Sequence, residues 1–234
     1  MKSFSTSSIG RKVFMSLTGL FLCVFLVEHL TGNLLLLVSK DEFNVYSHFL
    51  SHNPLIRAVE IILFASVVMH IGISTVLTLK NRSARPVQYA MYKGSANSRF
   101  VSRNMYALGF IILIFLVIHL SNFFVKARFG GVQEYALEQH VSLFGLFFPA
   151  GSMVGDIYSV VIASFKQLWY TVLYVVCMVA LSLHLAHGFQ SAFHSSGVYT
   201  GMPRASAMQK VGWAFAILIP LGFAFIPVYV YLMK

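Results

Sequence analysis

Five stretches of this chain run for more than twenty residues with few or no charges, at approximately residues 13–38, 55–79, 104–125, 167–190 and 211–233. About 20 apolar residues, rising ~1.5 Å each in a helix, cross the hydrocarbon core of a bilayer. No water pairs with the backbone at that depth, so each stretch must satisfy its own amides as a helix. The pattern predicts an all-α integral membrane protein, a single domain over residues 1–234. Four of the five spans would form an up-down bundle, with a fifth C-terminal helix beside it. Composition agrees. Only 10% of the residues are charged and 58% are hydrophobic, whereas a soluble domain carries roughly 25% charge. A soluble enzyme, a disordered chain and a secreted disulfide scaffold are excluded. Cys23 and Cys177 lie inside apolar runs and no CxxC or CxxCH occurs, so neither a dithiol centre nor covalent haem c is expected.

Charge and turn residues bracket the spans. Lys12 precedes the first and Lys40-Asp41-Glu42 follows it; Lys80-Asn-Arg-Ser-Ala-Arg-Pro86 ends the second. Gly130-Gly131 follows the third, and Gly197 and Gly201-Met-Pro203 separate the last two. Pro220 and Pro227 predict a kinked fifth helix. The first span exceeds a signal-peptide core and lacks a small-x-small cleavage pattern, so a retained helix is expected. Lys2, Arg11, Lys12, Lys80, Arg82, Arg85, Lys93, Arg99, Arg103, Arg204 and Lys210 fall on one side, 11 in all. Lys40, Arg57, Lys126, Arg128, Lys166 and Lys234 fall on the other, 6 in all. This excess puts the N-terminus in the cytoplasm. The net charge of +10 is then the cationic flanking of spans, not a nucleic-acid surface. The Ala127–Lys166 connection is expected to lie on the membrane or over the outer end of the bundle. Its Asp156–Phe165 segment, leading into Trp169 and Tyr170, has an interfacial character.

Nine histidines are many for so apolar a chain. Four of them, His29, His70, His119 and His184, stand well inside four successive spans, with His187 one turn beyond His184. A lone intramembrane histidine often serves as an interhelical hydrogen-bond partner. Four in four successive spans point to function, because ionisable groups at that depth are expensive. Depth pairs them. At ~1.5 Å per residue, His29 is about 25 Å from Lys12 and His119 about 24 Å from Arg103. Both therefore lie in the outer half. By the same rise His70 is roughly 15 Å before Lys80 and His184 roughly 27 Å after Lys166, both in the inner half. Phe25-Leu-Val-Glu-His-Leu-Thr31 also matches Phe115-Leu-Val-Ile-His-Leu-Ser121 at five of seven positions. Gly19 and Gly109 each precede the histidine of that motif by ten residues. About 15 Å along the axis, the glycines would lie near the inner pair, making room for a bulky planar group.

Zinc needs four ligands, usually including Cys or carboxylate, and no HExxH or paired-acid motif is present. A proton relay does not require matched pairs. Haem needs two axial ligands on opposite ring faces, and a bundle core can hold it. Two bis-histidine haems at two depths would leave no open coordination site and would carry electrons across the membrane. Arg11, Lys12 and Ser16 are candidate propionate partners near the inner face.

Several segments together resemble the five-helix, two-haem cytochrome b subunit of succinate:quinone oxidoreductases (complex II), which include succinate dehydrogenases and fumarate reductases. They are Ser8-Ile-Gly-Arg-Lys12, Glu28-His-Leu-Thr-Gly-Asn33, Glu42-Phe-Asn-Val-Tyr-Ser-His48, Arg57-Ala-Val-Glu60 and His184-Leu-Ala-His-Gly-Phe-Gln190. The resemblance runs through all five spans. It implies haem b ligation by His70 with His184 (inner, proximal) and His29 with His119 (outer, distal). It also selects His184 over His187. It implies two cytoplasmic partners, a FAD-bearing flavoprotein and an iron–sulfur subunit, with a membrane quinone, expected to be menaquinone, as substrate. The bacterial cytoplasmic membrane is the expected location. Some fumarate-reducing relatives carry a glutamate two residues before the ligand of the fourth span, associated with transmembrane proton transfer; here that residue is Ser182.

Quinone chemistry needs hydrogen-bond donors and a proton acceptor. Glu60, Asn44 and His48 are candidates near the outer haem, and Glu28 is the acid deepest inside a span. Two other readings compete. A dihaem cytochrome of a formate dehydrogenase or hydrogenase would share the haems, and a proton-coupled transporter would use the histidines as a relay.

Overall fold

The computed structural model describes residues 7–84, 100–195 and 205–233. Lys2, Arg85, Lys93, Arg99, Arg204 and Lys234 of the charge count, and the Gly197–Pro203 turn, lie outside the described residues. The protein is all-α, with five helical spans of 27 to 30 residues, long and apolar enough to cross a membrane. They are built on α1 (Ser8–Leu34), α3 (Pro54–Ser83), α4 (Phe100–His119), α7 (Leu168–Ser195) and α8 (Ala205–Met233). A 3-10 turn, Leu35–Leu37, ends α1. The third span does not stop at α4. It runs through a π-turn, Leu120–Phe124, into α5 (Val125–Phe129). Helix α8 passes unbroken through both Pro220 and Pro227.

Two of the connections between spans are folded. Residues Lys40–His52 form a helix, α2. Ser39 caps it by accepting from the Glu42 amide at 3.2 Å, and Asp41 and Glu42 in its first turn favour the helix dipole. After Gly130 and Gly131, both at positive φ, the chain makes β1 (Glu134–Ala136), β2 (Val141–Leu143), β3 (Leu146–Phe148) and β4 (Met153–Gly155). Antiparallel β2–β3 sits between the strands of antiparallel β1–β4 in chain order. The two residues joining β2 to β3, Phe144 and Gly145, both have positive φ, as a tight hairpin turn requires. Asp156 then caps α6 (Ile157–Phe165) by accepting from the Ser159 amide.

The described chain divides into two compact units, each containing part of every long helix. Unit one comprises Met1–Phe25, Ile62–Ile112 and Ala180–Leu218; unit two comprises Leu26–Ile61, Leu113–Val179 and Ile219–Lys234. Unit two contains the larger core. Leu36 and Val230 are fully buried there, together with Phe43 of α2, Ile157, Val161 and Phe165 of α6, and Tyr170 and Tyr174 of α7. The expected interfacial segment is thus a helix packed into protein along one face. A smaller cluster, Val45, Leu137 and Val154, ties α2 to the strands.

Candidate functional site

Each unit brings one pair of histidines together, and the pairs are those that depth predicts. In unit one, His70 of α3 faces His184 of α7 with ring centres 6.3 Å apart and planes at 61°. In unit two, His29 of α1 faces His119, the last residue of α4, with ring centres 5.7 Å apart and planes at 85°.

The surroundings of the first pair are specific. Thr18 Oγ1 lies 3.3 Å from His70 Nδ1. The threonine also bonds to the carbonyls of Phe14 and Met15, at 2.9 and 3.1 Å. Its one proton serves a carbonyl, so towards His70 it accepts. That assigns the proton to Nδ1 and leaves the Nε2 lone pair for a ligand role. Gly19, the next residue, has its missing Cβ directed at the same ring, 3.4 Å from Cε1. Gly109 of α4 does the same to His184, 3.6 Å from its Cε1. The duplicated sequence motif is therefore duplicated in space: each of its helices places a glycine against one imidazole in unit one and a histidine in the pair of unit two. Among the described residues, the buried Nδ1 of His184 has no hydrogen-bond partner.

The second pair is held by aromatics and by a polar ladder. Phe115 stacks on His119 at 5.7 Å, Phe123 meets it edge-on at 5.4 Å, and Phe223 of α8 lies 5.6 Å from His29. The fifth span thus contributes directly beside this pair. Tyr174 OH lies 3.1 Å from His119 Nδ1 and 3.1 Å from Tyr170 OH. Asn122 donates to Tyr170 OH at 3.0 Å and to Ser164 at 2.9 Å, while Lys126 donates to the Asn122 oxygen at 2.7 Å. Asn122 lies within the π-turn, whose wider winding alters which residues that segment presents to α7.

Other candidates are placed differently from expectation. Asn44 is fully buried. Its amide donates to Tyr135 and Asp156 and its oxygen accepts from the Tyr158 amide. All its capacity is spent on joining α2, β1 and α6, so it has none left for a quinone. Ser16 is buried and its hydroxyl donates back to the Lys12 carbonyl, so it is bound within α1. Arg11 is half-buried and Lys12 exposed. Glu28 accepts from Tyr46 at 2.5 Å. The Tyr46 ring lies so close to Gly32 that a Cβ there would collide with it. Burial and Glu28 raise the Tyr46 hydroxyl above the ordinary tyrosine range. His48 stacks on His52 at 4.0 Å, and burial with repulsion from His52 lowers it, partly offset by Glu134. Among the described residues Glu60, half-buried on α3, makes no hydrogen bond or ion pair. Thr18, Tyr174, Asn122 and Phe223 were not among the residues singled out from sequence, and Tyr170 was singled out only for its interfacial position.

Each pair brings two imidazoles from different helices within 6.3 Å of each other, and His29 Nε2 also stands 3.4 Å from the Asn33 side-chain nitrogen. A metal–imidazole nitrogen bond is about 2.0 Å, and the ring centre lies a little over an atom's radius behind the nitrogen. Two imidazoles bound to one metal would have ring centres no more than about 6 Å apart, and the observed separations are 6.3 and 5.7 Å. Among the described residues, no group of three or more His, Cys, Asp or Glu side chains gathers at either pair. Gly19 and Gly109 leave room for the imidazoles of His70 and His184.

No protein-family model matches the chain. No curated protein matches it at a significant level either.

Proposed function

We propose that this chain is the two-haem cytochrome b subunit of a succinate:quinone oxidoreductase in a bacterial cytoplasmic membrane. It would anchor a flavoprotein and an iron–sulfur subunit at the cytoplasmic face and pass electrons between them and membrane quinone. The observation that carries the reading is the presence of two cross-helix imidazole pairs, one in each unit, with ring centres 6.3 and 5.7 Å apart. The order and spacing of the motifs around those histidines supply the family.

His70 and His184 would hold one haem b, and His29 and His119 the other. Held by these histidines, haem b would supply one-electron transfer. The chain's own residues do the rest. Thr18 and Tyr174 orient one imidazole of each pair from the Nδ1 side, as outer hydrogen bonds to metal-bound histidines commonly do. Gly19 and Gly109 keep side chains away from the ring edges of the first pair. Phe115, Phe123 and Phe223 exclude water from the second.

Purification of the complex in detergent, followed by pyridine haemochrome and subunit identification, tests the proposal. The expected result is two haems b per chain, a copurifying flavoprotein and haem reduction by succinate. His29→Leu should leave one haem, and His70→Leu the other. A native complex without haem refutes the proposal. Haem reduction by formate or hydrogen but not by succinate would reassign the partner.

A further inference from the structure

The end of α2 carries two histidines one helical turn apart. His48 and His52 stand at i and i+4, the spacing that puts two side chains on one helix face. Their rings lie nearly parallel, with planes 19° apart and centres separated by 4.0 Å. His52 is fixed in one tautomer. Its Nδ1 lies 2.9 Å from the His48 carbonyl oxygen and 3.0 Å from the Ser51 hydroxyl. A carbonyl only accepts, and the Ser51 proton is already donated to that same carbonyl at 3.0 Å. Nδ1 therefore carries the proton, and the Nε2 lone pair of His52 is left for a ligand role. The His48 ring is held edge-on by Phe148 at 5.9 Å, and among the described residues its nitrogens make no hydrogen bond. The turn that carries the pair is braced. Arg128 donates to the Ser51 carbonyl at 3.1 Å, and the Asn53 amide closes the helix on the Phe49 carbonyl at 3.0 Å. Glu134 of β1 acts on His48 in the sense that favours positive charge there.

We propose that His48 and His52 bind a divalent transition-metal cation, Cu2+ most tightly and Zn2+ less so. The site shares no residue with the four intramembrane histidines and stands independently of the function proposed above. A metal–imidazole bond of about 2.0 Å places two neighbouring ligand nitrogens about 3 Å apart. Rings already stacked at 4.0 Å reach that separation by small rotations of the two side chains. Imidazole nitrogen selects copper and zinc, copper the more strongly, whereas Ca2+ and Mg2+ take oxygen ligands. Among the described residues no third His, Cys, Asp or Glu completes the group, so water fills the remaining positions and the cation exchanges with solution. Bridging two successive turns, the cation stiffens the end of α2. That end is bonded through Ser51 to Arg128, in the continuation of the third span.

Titration of the purified full-length protein in detergent with Cu2+, followed by electron paramagnetic resonance, tests the proposal. The expected result is one Cu2+ that couples to two imidazole nitrogens and depends on both histidines. His48→Ala and His52→Ala should each weaken its binding by more than about tenfold, the least that losing even an outer partner of a metal ligand costs. His140→Ala should leave it unchanged. His52 is exposed, so its replacement should preserve the circular dichroism spectrum. Zn2+ should displace the Cu2+ and slow hydrogen exchange at residues 48–53 in the parent but not in His52→Ala; Ca2+ and Mg2+ should do neither. Absence of Cu2+ binding by the parent, or binding that survives both substitutions, overturns the proposal. None of these readouts requires haem, so a haem-free chain whose Cu2+ binding still depends on His48 and His52 would overturn the proposed function and leave this site standing.

Discussion

Replacing Tyr174 with phenylalanine isolates one hydroxyl. The ring is 5% exposed and packs edge-on against Phe115 and Phe165 at 4.9 Å each. Phenylalanine preserves those contacts. What disappears is the bond to His119 Nδ1 and the bond to Tyr170, both 3.1 Å. Tyr170 keeps its bond from Asn122, so only the His119 nitrogen is left with an unmet need. A neutral hydrogen bond contributes about 1 kcal/mol net, and an orphaned buried polar atom costs about 1–3 kcal/mol. The expected loss is about 2 kcal/mol, roughly a thirtyfold weakening at the affected centre. That lies within the 10–100-fold range typical of outer hydrogen-bond partners to metal-bound histidines. The assay is haem transfer from the purified complex to excess apomyoglobin, followed optically. One haem should leave about thirty times faster than in the parent and the other at the parental rate. Tyr170→Phe, one bond further from His119, should have a distinctly smaller effect. Parental transfer rates for both haems in Tyr174→Phe, or equal acceleration of both, would refute the claim that Tyr174 positions His119.

The glycines and the segment around α2 make two further predictions. Gly109→Ala places a methyl in ordinary contact with His184, 3.6 Å from Cε1, and should retain both haems while strengthening the helix by about 0.5–1 kcal/mol. Gly109→Leu drives a branched chain at that ring at an overpacking cost of about 1–3 kcal/mol. It should lower haem content towards one per chain with helicity unchanged by circular dichroism, as should Gly19→Leu; a full complement in both would count against the cradle. For acid sensitivity, burial and His52 lower the His48 pKa against an offset from Glu134. Its stabilising contribution is complete above the ordinary histidine pKa of about 6.5 and is lost as pH falls through the lower folded value. Burial alone would raise Asp156. Lys40 at 2.6 Å, Ser159 and Asn44 instead hold it below the usual range. Its contribution is complete above about pH 3.9 and is lost as pH falls through its own lower folded value. Hydrogen-exchange protection over residues 40–52, taken relative to the intrinsic exchange rate at each pH, should therefore fall in two stages on acidification, and uniform protection from pH 7.5 to 4.5 would contradict the first.

The five helices were legible because hydropathy over twenty residues is a strong signal that tertiary context rarely overrides in a membrane. Their ends were not, since α1 begins at Ser8 and α7 runs to Ser195, beyond the purely apolar stretches. Helix α2 had a readable start: Ser39-Lys40-Asp41-Glu42 has the S-x-x-E form of a capping box. Its alternation of polar and apolar residues concealed that Phe43, Asn44 and Val45 are all buried, each facing a different neighbour. The short strands had no comparable signal. Three-residue ribbons held by the glycines and by Leu137 and Val154 depend on α2 being in place.

The candidate site divides along a different line. Depth along a helix is linear in residue number, so pairing His29 with His119 and His70 with His184 required only counting, and the Gly19 and Gly109 positions followed from the same count. Azimuth is less forgiving. It accumulates about 100° per residue in an α-helix, and a single π-turn shifts everything beyond it. Asn122 lies inside such a turn, three residues after His119, and its approach to Tyr170 and Ser164 is set by that irregularity. Thr18 and Tyr174 lie in regular helix, but their roles depend on which neighbour each faces, and a helix read alone does not contain that information. The histidines were therefore readable as pairs, whereas the groups that orient them emerge only when the helices are placed side by side.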